Sequence, residues 1–69
     1  KHMTIRVTMD IDNDTAEKIK YIAESKNITR AQAIAHAVRI AHLLLINEQR
    51  GGKSVVETPN GDYKEVVWK

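Results

Sequence analysis

Apolar and polar residues alternate without a break from Thr4 to Ile11, the period of a half-buried strand. Ile5, Val7, Met9 and Ile11 share one face, and Thr4, Arg6, Thr8 and Asp10 share the other. The pattern then lengthens to a helical period: Ala16, Ile19, Ile22 and Ala23 recur on one side, with Glu17, Lys18, Lys20 and Glu24 opposite. From Arg30 to Arg50 strong helix formers predominate, and Ile34, Ala37, Val38, Ala41, Leu44 and Leu45 form an apolar face that Ile40, Leu43 and Ile46 widen. Beyond residue 52 short alternation returns, in Ser54-Val55-Val56-Glu57 and Tyr63-Lys64-Glu65-Val66-Val67-Trp68.

Punctuation between these segments predicts where they start and stop. Asp12-Asn13-Asp14-Thr15 supplies N-cap chemistry and negative charge for the first helix, with Asp14 and Glu17 as a loose capping-box variant. That helix should end near Lys26, with Asn27 in the left-handed conformation and Ile28 folding back on Ala23. Thr29-Arg30-Ala31-Gln32 is a clear capping box, and Gly51-Gly52 stops the second helix. Thr58-Pro59-Asn60-Gly61-Asp62 suits a hairpin turn: a type I turn with Gly61 in a left-handed bulge puts Glu57 opposite Tyr63, and a tight Asn-Gly turn puts it opposite Lys64. An isolated hairpin is marginal in water, so Val55, Val66, Val67 and Trp68 should dock on the helical body or pair across a dimer.

The first strand has no near neighbour to pair with, and unpaired backbone groups along both of its edges do not tolerate burial. Its economical partner is the same stretch of a second copy, antiparallel about a two-fold axis. Composition agrees: a chain of 69 residues without cysteine has neither a large core nor a disulfide to support it, and no metal-ligand cluster stands out. Oligomerisation is then the remaining support. The breadth of the second helix's apolar face points the same way, since one short helix and one strand cannot cover it. The absence of cysteine suits a reducing compartment, and no run is apolar enough to span a membrane, the longest being Leu43 to Ile46. With no secretory signal pattern, a cytoplasmic, nucleoid-associated location is expected. Lys1-His2-Met3 reads as an expression scar ahead of a start at Met3 and is set aside.

A net charge of +2 with a pI near 9.1 permits a polyanionic partner without demanding one. Its distribution is more informative. Asp10, Asp12, Asp14 and Glu17 crowd one segment, whereas from residue 26 to residue 50 Lys26, Arg30, Arg39 and Arg50 face only Glu48. A basic surface is therefore expected on the second helix and the turn before it.

The order strand, cap, helix, Asn27-Ile28-Thr29-Arg30 turn and longer apolar helix resembles the ribbon-helix-helix family, the class of the Met and Arc repressors, over residues 4–46. The resemblance implies a mainly helical, intertwined homodimer whose paired strands form an intermolecular ribbon entering the DNA major groove. It implies a binding and dimerisation domain over 4–50 and leaves 51–69 as a hairpin extension without a role. Carried over position by position, the base-reading residues are Arg6, Thr8 and Asp10; phosphate contacts fall to Thr4, Thr29, Arg30 and Ala31. The dimer core falls to Ile5, Val7, Met9, Ile11, Ile34, Val38, Ala41 and Leu45. Arginine has the fork that matches guanine O6 and N7, and threonine offers a hydroxyl or a methyl. Asp10 departs from the expectation: a carboxylate is repelled by phosphates but accepts from cytosine N4, so it either selects cytosine or lies off the readout. Asn27 stands where the family usually has glycine.

Blander explanations compete at several positions. The polar face of an edge strand is usually just solvated, and a capping box is more often only a cap. His36 and His42 lie six apart, off the i, i+4 spacing of a helical metal pair. Asp10-Asp12-Asp14 lacks the glycine and distal glutamate of a calcium loop and reads as a cap. Tyr63 and Trp68 could stack on nucleic acid but serve better as hairpin anchors. With Ser25 and Ser54 the only serines and no His–carboxylate pairing to argue from, no catalytic role and no cofactor is expected. The expected function is sequence-specific binding of double-stranded DNA by a homodimer, as an autoregulatory transcriptional repressor. The alternative is an interaction module or antitoxin of the same fold, whose tail, residues 53–69, engages a partner protein.

Overall fold

The computed structural model describes residues 4–67. It is mainly helical, with two helices followed by a two-stranded antiparallel sheet: α1 (Asn13–Lys26), α2 (Arg30–Gln49), β1 (Val55–Glu57) and β2 (Tyr63–Glu65). The chain divides into two compact units, Lys1–Ile34 and Ala35–Lys69, the boundary falling within α2.

In the first unit, residues 4–12 carry neither helix nor ladder within the single chain, and the pairing expected of Thr4–Ile11 is with a second copy. The physical reason is that a strand is defined by its partner, and among the described residues the chain's only sheet is the β1–β2 pair. α1 starts on Asp12, whose backbone is extended (φ −71°, ψ 167°) and whose side chain accepts from the Thr15 amide at 2.7 Å. The Asp14–Glu17 capping box is not made. Asp14 instead pairs with Lys18 one turn on, at 2.9 Å, because a lysine four residues ahead on an exposed face offers it a charge. α1 ends as its sequence predicts. Asn27 lies in the left-handed region (φ 56°, ψ 48°), its amide donating to the Glu24 carbonyl at 3.4 Å while the Ile28 amide donates to that of Ala23 at 2.9 Å. These two bonds are a Schellman motif with asparagine in place of glycine. The buried residues are Ala23 (5 % exposed) and Ala33 (1 %), and no larger side chain is buried among the described residues.

In the second unit, α2 closes on the same motif: the Gly51 amide donates to Glu48 at 2.9 Å and the Gly52 amide to Asn47 at 3.0 Å, with Gly51 at φ +86°. The Asn47 side chain then folds over the turn and donates to the Lys53 carbonyl at 3.2 Å. A Cβ at 52 would stand 2.6 Å from Asn47 Oδ1, so any other residue there makes the Asn47 side chain shift. The hairpin forms where expected, and the choice between its two turns falls to the type I turn with a bulge. Gly61 donates to the Thr58 carbonyl at 2.9 Å and sits at φ +88°, Thr58 donates to Asp62 at 2.7 Å, and Glu57 faces Tyr63. The remaining pairs are Val56 with Lys64 and Val55 with Glu65. Docking of the hairpin's valines does not follow: Val55, Val56, Val66 and Val67 all stay exposed, and the expectation for Trp68 lies outside the described residues. With Glu57 and Glu65 on one face and Lys64 on the other, neither face is apolar enough to drive docking. Among the described residues no helix is long and apolar enough to cross a membrane.

Candidate nucleic-acid interface

The residues expected to read bases lie on the unpaired stretch before α1. Thr4, Arg6, Thr8 and Asp10 are exposed, and none has a side-chain hydrogen bond or ion pair among the described residues. Their apolar neighbours are exposed too, from Ile5 (79 %) through Val7 (67 %) and Met9 (56 %) to Ile11 (38 %). The alternation therefore stands as two unsatisfied rows.

The expected phosphate site is more fully built. The Thr29 amide donates to Gln32 Oε1 at 2.9 Å, and the Gln32 amide donates to Thr29 Oγ1 at 3.0 Å, a reciprocal box. The Ala33 amide is taken by the Thr29 carbonyl at 2.9 Å. What remains at this helix start is the amides of Arg30 and Ala31, which have no backbone or side-chain acceptor among the described residues. Two free amides at the positive end of a helix, with an arginine on the first of them, can hold a phosphate oxygen. No hydrogen bond or ion pair joins Thr4–Asp10 to this turn among the described residues.

Charge near the start of α1 is already committed. Asp12 is held below its ordinary value of 3.8, first by the Thr15 amide that it accepts from and then by the Thr15 hydroxyl. Lys18 is raised above 10.5 by its hydrogen bond to Asp14. Two of the three aspartates in the calcium-like spacing are thus occupied, and no group of three or more metal-binding side chains gathers among the described residues. No protein-family model, curated protein or solved structure matches the chain.

The expected dimer-core residues of α2 differ in exposure. Ile34, Ala41 and Leu45 are half-buried, whereas Val38 (61 %) is open, as is neighbouring Leu43 (67 %). His36 and His42 are both exposed. One feature escaped the sequence-based expectation, an open groove in the second unit lined by Leu43, Leu44, Asn47, Lys53, Ser54 and Val55. It depends on the path taken after Gly52, and the only sequence signal for that path is an asparagine one turn before a Gly-Gly stop.

Proposed function

We propose that the chain is a homodimeric, ribbon-helix-helix type DNA-binding protein that acts as a transcriptional repressor, its residues 4–11 pairing with those of a second copy. The observation that carries this reading is the exposed row Ile5, Val7, Met9 and Ile11. Four large apolar side chains at period two are costly in water, at roughly 1.5–3 kcal/mol each relative to burial. Pairing two such stretches across a two-fold axis satisfies the inner edge of each backbone and turns both apolar rows to one side. Thr4, Arg6, Thr8 and Asp10 of each copy then merge into a polar ribbon narrow enough for the major groove. The open apolar position Val38 of α2 supplies further surface for the same partner.

Within this reading Arg6 and Thr8 read base edges, Asp10 accepts from cytosine, and the free amides of Arg30 and Ala31 fix the register on a phosphate. Selecting bound duplexes from a random pool tests it and returns the site. On that site Arg6→Ala costs about 1–3 kcal/mol and relaxes preference at one base pair, and affinity falls steeply as salt rises. If Arg6→Ala and Thr8→Ala bind every duplex as the wild type does, the ribbon is not the reader. A second reading, a protein-interaction module of the same fold, draws on Asp10 in the polar row and on the exposed hairpin. It expects no shift of random duplex at low salt.

A further inference from the structure

The hairpin has two open edges, and they are not equivalent. Val66 donates to Ser54 at 2.8 Å and Thr58 to Asp62 at 2.7 Å, so Ser54 and Thr58 face β2. By the alternation of an antiparallel ladder Val56 faces it as well, leaving the N–H and C=O groups of Val55 and Glu57 pointing outward from β1. Those of Tyr63 and Glu65 point outward from β2. None of these outward groups has a backbone partner among the described residues.

Charge decides which edge can meet its own copy. Two identical antiparallel strands related by a two-fold axis place one residue opposite itself. On β2, centring on Lys64 opposes two lysines and centring on Glu65 opposes two glutamates, which is destabilising. Centring on Tyr63 runs the ladder into the bulge at Gly61, where pairing stops. On β1, centring on Val55 puts valine against valine, Ser54 against Val56, and Lys53 against Glu57 twice over. Val55 lies on the strand face that also carries the groove beside Leu43, so Val55 of the second copy would cover apolar surface there.

We infer that β1 is a self-association edge: a second copy of the chain adds its β1 antiparallel to this one, centred on Val55, with Lys53 and Glu57 paired across the join. This interface is separate from the N-terminal ribbon and goes beyond the proposed DNA binding, since it links one dimer to the next. A three-residue strand gives a weak contact, which becomes effective when adjacent sites hold two dimers together at an effective concentration on the order of millimolar.

Sedimentation equilibrium of the full chain without DNA tests it. The wild type shows a dimer-to-tetramer step that rises with concentration. Val55→Pro removes an amide that faces away from β2, leaving the hairpin ladder intact, and abolishes the step while keeping the dimer. Glu57→Lys abolishes it by setting lysine against lysine, and Lys53→Glu with Glu57→Lys restores it. A wild type that stops at the dimer at millimolar concentration overturns the inference, as does a tetramer that survives both single variants. Growth beyond the tetramer at higher concentration agrees with it, because each dimer offers two β1 edges, whereas growth that Val55→Pro and Glu57→Lys both leave in place overturns it. If Val55→Pro instead reduces a dimer to monomer, the edge stands and the N-terminal ribbon of the proposed function falls.

Discussion

The chain carries two stretches with the alternation of a strand, and only one becomes a strand. Residues 55–57 find their partner in residues 63–65 because Thr58-Pro59-Asn60-Gly61 turns the backbone round with Gly61 at φ +88°. Thr4–Ile11 has a longer and cleaner alternation but is followed by Asp12, a helix cap, and the chain leaves it for α1. Side-chain pattern thus makes a stretch competent for a sheet, and the neighbouring turn decides whether its ladder closes inside the chain. A competent stretch with no turn is a surface for something else.

The sharpest way to break that contrast is Val7→Lys. Were residues 4–11 simply solvated, a lysine at an exposed position would change stability by no more than about 0.5 kcal/mol. If the row is the seam between two copies, the same change buries two unpaired charges about the axis. It then costs the dimer on the order of 3 kcal/mol or more, about a hundredfold or greater in dissociation constant. Sedimentation at micromolar concentration separates the two outcomes.

On the hairpin side, Gly61→Ala tests whether the turn is what closes the ladder. An L-residue held at φ +88° costs about 1–2 kcal/mol, comparable with what a short hairpin has to spare. Amide exchange at Val66, whose N–H reaches Ser54 across the two strands, should accelerate while exchange in α1 stays as it was. Unchanged exchange at Val66 would mean that the hairpin is held by something other than its turn. A smaller effect belongs to the turn between the helices. Thr29→Ala removes the acceptor for the Gln32 amide and costs about 1 kcal/mol, read as faster exchange in the first turn of α2. A DNA-bound form in which Thr29→Ala also weakens all duplexes equally would add a phosphate role to the cap.

The parts of the fold that could be read beforehand are those whose cause lies within about four residues. Asn27 and Ile28 closing α1, the Thr29–Gln32 box and the Gly51-Gly52 stop all follow from local hydrogen-bond chemistry and are found as expected. The hairpin is legible in the sequence to the level of its existence, and its register stays open between two turns that the same five residues support. The Asp14–Glu17 box fails because α1 is capped two residues earlier by Asp12, which leaves Asp14 inside the first turn and free to pair with Lys18. The candidate site is less legible for the same reason: Arg6, Thr8 and Asp10 can be singled out by alternation, but their surroundings depend on a partner strand that no local signal supplies. The groove beside Leu43 and Val55 is not legible in the sequence because its lining joins α2 to the segment after Gly52, whose path no local pattern sets.

The smallest effect separates a cap from a charge pair at the start of α1. Asp12 has a folded pKa below its ordinary 3.8, so its contribution is fully present above that value and is lost as pH falls through the folded one. Lys18 is raised above 10.5, so its contribution is present below that value and is lost as pH rises through the folded one. Both groups are exposed, and the Lys18–Asp14 pair is the more readily screened by salt. Helicity followed by far-UV circular dichroism should therefore show a small acid step below pH 3.8 that persists in high salt, and an alkaline step that salt erases. Asp12→Asn keeps an oxygen to accept from the Thr15 amide but cannot titrate in this range. It should retain the neutral-pH helicity and lose the acid component due to Asp12; an unchanged acid step would leave Asp12 as a cap without charge.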